Sequence, residues 1–157
     1  MRRVMIGRVM RIAIVSRHGA TGAPLATASL RSHLEALGIE GVEVLPAGLE
    51  GPYQLSAEAR EGLAYLGLEA EALEPLPLTP DHLEQVELVL CLEQADLDQV
   101  LEMGSGRAYT LSGYLGWPEG RVSGDPANLS DVMRQIADQI SYELETDPAR
   151  PGSTRRG

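Results

Sequence analysis

With 157 residues, 43% of them hydrophobic and 23% charged, the chain is long enough to form one domain around a substantial core. Its net charge of −10 argues against nucleic acid or an anionic membrane surface as partner, because both require basic stripes that displace counterions. The one cysteine, Cys91, excludes an internal disulfide and any CxxC zinc or redox motif, and its setting in Val89-Leu90-Cys91-Leu92 is that of a small core residue.

Residues 1–10 read as an N-terminal extension. It contains no apolar run long enough for a leader and no small-residue cleavage site follows it, so the expected location is cytoplasmic. The domain is expected over 11–146. An apolar strand, Ile12 to Val15, runs through Ser16-Arg17-His18-Gly19-Ala20-Thr21-Gly22-Ala23 into a helix beginning near Pro24. Ala26, Leu30, Leu34 and Leu37 make the buried stripe of that helix, and Gly38 stops it. Val42 to Leu45 is a second strand, closed by Pro46-Ala47-Gly48. Ser56 caps a helix that runs to Leu66 and ends at Gly67.

Pro75 and Pro77 make Leu73 to Leu78 an extended connection, after which Thr79-Pro80-Asp81 opens a short helix. Glu87 to Leu92 is apolar enough for a parallel strand covered on both faces. A helix from Asp96 to Met103 and a fourth strand from Arg107 to Leu111 follow. Ser130 is the expected cap of a long last helix in which Val132, Ile136, Ile140 and Leu144 step by four, and 147–157 reads as a flexible tail.

Strands alternating with helices imply right-handed crossovers and a parallel sheet, with ligands bound outside the carboxyl ends of the strands. Ser16 to Gly22 lies at that edge. Gly19 and Gly22 are free to take positive φ, which would turn successive N–H groups into one concavity at a helix N-terminus, a cradle for phosphate formed by Arg17, His18, Gly19, Ala20, Thr21, Gly22 and Ala23. The plain alternative is a strand-to-helix turn. No acidic residue precedes Glu35, so this segment is locally positive in an acidic chain. A small anion such as phosphate or a phosphorylated ligand is the implied partner. The residues call for no cofactor and no metal.

The order of these segments resembles the low-molecular-weight protein tyrosine phosphatases, a family that includes one class of arsenate reductases, from Arg11 to Leu144. Ala23-Pro24 keeps the Pro that ends the family's phosphate loop, and Pro46-Ala47-Gly48 is similar to its Ser-Ala-Gly. Leu78-Thr79-Pro80, Leu88-Val89-Leu90 and Leu111-Ser112-Gly113-Tyr114-Leu115-Gly116 match later segments, and Asp125-Pro126 is similar to its general-acid Asp-Pro. The resemblance implies a single three-layer α/β domain with a four-stranded parallel sheet in the order 2-1-3-4, with Tyr53 as an aromatic pocket wall and Asp125 as acid for the leaving oxygen. A helix cap is the structural alternative for Asp125.

The same alignment places Ser16 at the family's Cys nucleophile and Gly22 at the Arg that grips the phosphoryl oxygens. Losing both implies loss of Cys-dependent phosphoryl transfer with an anion-binding loop retained. Arsenate reduction, which needs redox thiols, is excluded. A competing reading takes Arg17-His18-Gly19 as similar to the Arg-His-Gly motif of histidine phosphatases, with His18 as nucleophile and Arg17 as phosphate clamp. The later His residues, His33 and His82, do not supply that superfamily's second histidine. Gly19-x-x-Gly22 is a weak likeness to a dinucleotide loop, since Arg17 stands where the first glycine belongs.

Overall fold

In a computed structural model, residues 9–18, 21–51, 53–104, 107–118, 122–123 and 125–146 are described. The expected tail at 147–157 and all but the last two residues of the expected N-terminal extension lie outside them. The central strand β1 (Met10–Ser16) alternates strictly. Met10, Ile12 and Ile14 point to one side, Ala13 and Val15 to the other, and all are buried. This two-sided burial is what helices on both faces of a parallel sheet demand.

β1 pairs in parallel with β2 (Val42–Gly48) and β4 (Leu88–Cys91). β5 (Ala108–Thr110) adds to β4, and β3 (Leu76–Pro77) adds to β2, giving the order β3-β2-β1-β4-β5. The sheet therefore has five strands where the sequence implies four, and the common strands keep the expected order. The added strand lies in the segment read as an extended connection. Pro77 is tolerated because the strand is a two-residue edge, and Leu78 N–H closes it on the carbonyl of Gly48 at 2.9 Å.

On one face, α1 (Gly22–Ala36) and α6 (Pro126–Thr146) pack on each other and on β1, with α2 (Ala57–Leu66) and α5 (Leu111–Leu115) beside them. Ile12, Ile14, Leu30, Leu90, Met133 and Ile136 are fully buried there. The opposite face is thinner: α3 (Pro80–Glu84) and α4 (Gln94–Met103) bring Leu83 and Val100 against Ala13, Val15 and Cys91. Ser56 and Thr79 cap their helices by accepting from Ala59 N–H and His82 N–H, and Gly67 ends α2 at φ 72°.

The last helix starts one turn earlier than its expected cap. Pro126 needs no hydrogen-bond partner at the first helical position, and Asp125 Oδ2 accepts from Asn128 N–H at 3.2 Å, so Asp125 rather than Ser130 opens α6. Ser130 lies within the helix, where its carbonyl meets His33 Nε2 at 3.1 Å and ties α6 to α1. No helix among the described residues is long and apolar enough to cross a membrane.

Candidate functional site

β1 ends at Ser16, in register with Gly48 of β2, while Val15 stands beside Cys91 of β4, so three strands deliver their carboxyl ends to one place. The carbonyl of Arg17 accepts from Leu49 N–H at 3.0 Å and Glu50 N–H at 2.7 Å, which fastens the loop after β1 to the loop after β2. A cavity of about 330 Å³ opens there. Ser16, Arg17, His18, Thr21 and Gly22 line one side, and Leu92, Glu93 and Asp96, from the end of β4 and the start of α4, line the other.

Gly22 is the first residue of α1 and does not take positive φ. The expectation of a left-handed glycine at this point is thus corrected: the helix begins two residues before Pro24 and recruits Gly22 into its first turn. Thr21 precedes it without a side-chain cap, because its hydroxyl is engaged at 2.6 Å with that of Ser56. Ala23 is buried in the main core. Gly19 and Ala20 lie outside the described residues.

A Cβ added at Gly22 would overlap Leu92 Cδ1, with Leu92 Cγ at 3.8 Å. Leu92 thus packs in front of Gly22, and its tip must turn aside for any side chain there.

Arg17 is spoken for. Its Nη1 donates to Glu50 Oε2 at 2.9 Å, and its Nη2 lies 3.9 Å from Asp96 Oδ1. His18 Nδ1 sits 3.2 Å from the carbonyl of Gly51. The positive character read from the sequence is offset in space, because Glu50 and Asp96 come from beyond Glu35 to the Arg17 guanidinium and Glu93 joins Asp96 at the cavity. Arg11, at the other end of β1, pairs with Glu43 at 2.9 Å. Tyr53 is 37% exposed and stands beside Gly51, and neither it nor the helix-capping Asp125 is among the residues that line the cavity.

Sequence reasoning missed Asp96. Its side chain is 1% exposed, and its Oδ1 has no hydrogen bond. Burial first, and the nearby Glu93 carboxylate second, push its pKa up, against the smaller opposing pull of Arg17 and a backbone hydrogen bond from Glu93. The available signal was positional: Asp96 is the third residue of α4, from which an acid reaches back to the N–H of the cap residue, here Glu93. Cys91 is fully buried, and burial together with Asp96 pushes its thiol up to about 12, which keeps it protonated and unreactive. No group of three or more His, Cys, Asp or Glu among the described residues is arranged to hold a metal ion.

A sequence profile described as low molecular weight phosphotyrosine protein phosphatase matches residues 11–146. No curated protein matches the chain. Among solved structures, a mutant of YwlE from Bacillus subtilis is 23% identical with a TM-score of 0.75, the match covering 84% of this chain and 99% of that one. A YwlE arginine phosphatase carrying a cysteine-to-serine mutation and a phosphorylated active-site serine is 24% identical with a TM-score of 0.73, covering 88% and 97%. A low molecular weight protein tyrosine phosphatase from Bacillus subtilis is 26% identical with a TM-score of 0.71, covering 88% and 99%.

Proposed function

The chain belongs to the low molecular weight phosphotyrosine protein phosphatase family, and from that premise we propose that it binds phosphorylated ligands at the loop between β1 and α1 without thiolate-dependent phosphoryl transfer. What supports this reading is that Ser16 and Gly22 line the cavity at the end of β1, and that laying Pro24 on the family's Pro puts them at its nucleophile and arginine, with Leu92 packed in front of Gly22. A hydroxyl is a far weaker nucleophile than a thiolate, and no side chain at Gly22 complements the charge on the phosphoryl oxygens. The one cysteine is buried and protonated, so it does not substitute.

Binding is left to the loop from Arg17 to Ala23. Thr21 supplies no side-chain cap, so the first N–H groups of α1 are not taken up by it. Without the bidentate arginine, affinity falls toward the millimolar range, on the basis of about 1.5 to 3 kcal/mol for each charge-assisted hydrogen bond lost. The test joins two measurements on the full chain: hydrolysis of an aryl phosphate against a matched blank, and calorimetric titration with inorganic phosphate. Turnover at the blank rate with saturable phosphate binding is the expected result. Robust turnover overturns the loss of catalysis, and no binding at about tens of millimolar phosphate overturns the cradle.

One contact favours a second reading. His18 Nδ1 against the Gly51 carbonyl suits a ring that donates from Nδ1 and leaves Nε2 as nucleophile beside Arg17. Its signature is turnover that disappears in His18→Ala.

A further inference from the structure

The wall facing the loop does not suit a plain dianion. Asp96 is almost wholly buried, its Oδ1 accepts no hydrogen bond, and Glu93 joins it at the cavity while Glu50 neutralises Arg17. A buried acceptor left without a donor is costly, and a ligand that supplies the donor recovers that cost on binding. Arg17 Nη2, at 3.9 Å, is beyond hydrogen-bond reach of that oxygen. Loop and acid face one cavity of about 330 Å³, which has room for a small molecule that touches both.

We propose that this cavity takes a phosphate monoester bearing a primary ammonium group, with its phosphoryl oxygens at Thr21 and Gly22, where α1 begins, and its ammonium donating to Asp96 Oδ1; this rests on the phosphate-binding reading above. The ammonium satisfies the orphan acceptor and relieves the repulsion that Asp96 and Glu93 impose on the phosphoryl charge. A monoester without the cation meets that repulsion unrelieved.

The test uses calorimetric titration of the full chain at fixed pH and salt with four probes: inorganic phosphate, ethyl phosphate, O-phosphoethanolamine and ethanolamine. O-phosphoethanolamine is expected to bind at least about tenfold more tightly than ethyl phosphate, the scale of one charge-assisted hydrogen bond. Asp96→Asn should erase that preference while ethyl phosphate binds as well as before or better. Equal affinity for the two esters in the unaltered chain overturns the proposal while leaving phosphate binding intact, and that comparison requires no variant. A folded Asp96→Asn protein that keeps the preference also overturns it. If neither ester nor phosphate binds, the phosphate-binding reading has failed, and this proposal with it. Ethanolamine binding as tightly as its phosphate ester removes the phosphoryl group from the interaction and overturns the proposal on that side.

Discussion

Leu92 Cδ1 lies where a Cβ on Gly22 would have to stand. Gly22 opens α1 and Leu92 directly follows β4, and they meet because β1 and β4 are neighbours in register. A glycine at the first position of a helix is ordinary. Leu92 packed in front of it makes any larger side chain at this position depend on where Leu92 turns.

On the proposed reading, Ser16→Cys with Gly22→Arg restores the family's nucleophile and arginine, and Leu92 Cδ1 must turn aside for the new side chain. Adding Leu92→Ala should raise aryl phosphate turnover over the double variant by about tenfold or less, the scale of turning one side-chain tip off its rotamer. The backbone at Gly22 is no obstacle, since its φ is not positive. Initial rates on variants shown by circular dichroism to be folded decide it. A double variant as active as the triple rejects the role given to Leu92.

Asp125 caps α6 through Asn128 N–H. Asp125→Ala should lower unfolding stability by about 1 kcal/mol, as the loss of an N-cap does, and Ser130→Ala by about 0.5 kcal/mol or less. Chemical denaturation of the two variants measures this. Equal losses would return the start of the helix to Ser130. In the restored triple variant Asp125→Asn gives the complementary answer, because a general acid moves the rate and a mere cap does not.

The strands, the helix stripes and the caps at Ser56 and Thr79 were legible because they depend on local pattern: alternation in β1, steps of four in α6, hydroxyls three residues ahead of a free N–H. The edge strand Leu76–Pro77 was not, because two residues carry no period and their strand character exists only through Gly48. The site was legible along the chain and misleading across it. Arg17 looks unopposed from the preceding and following residues, whereas Glu50 and Asp96 reach it from 33 and 79 positions away once the sheet forms. Asp96 was marked in the sequence only as an acid in the first turn of α4, and its burial at the cavity comes from elements distant along the chain.

Cys91 is expected to be silent. Native protein should resist iodoacetamide until it unfolds, because the thiol is buried and held up near 12. Cys91→Ala should leave binding and turnover unchanged and cost about 1 kcal/mol from the small cavity it leaves. Mass spectrometry of the native protein after brief alkylation is the check. Ready modification under native conditions would reopen this residue as a nucleophile.

Asp96 should make the fold less stable as pH rises. Its folded pKa is raised above the ordinary carboxylate range, chiefly by burial, so between that range and its raised value the folded chain holds a proton that the unfolded chain has released. Stability falls through this window and the full penalty remains above it. Asp96→Asn cannot ionise, and its side-chain oxygen still accepts from the Glu93 backbone. The lost attraction to Arg17 is small at 3.9 Å, because Arg17 keeps Glu50. The variant should therefore melt higher than the unaltered chain at pH 7.5, and the two should converge near pH 3, where both side chains are neutral. Thermal unfolding across that pH range tests the sign directly. An Asn variant that is less stable at pH 7.5 would mean that the Arg17 pair outweighs the desolvation of Asp96, and that the carboxylate stabilises the fold.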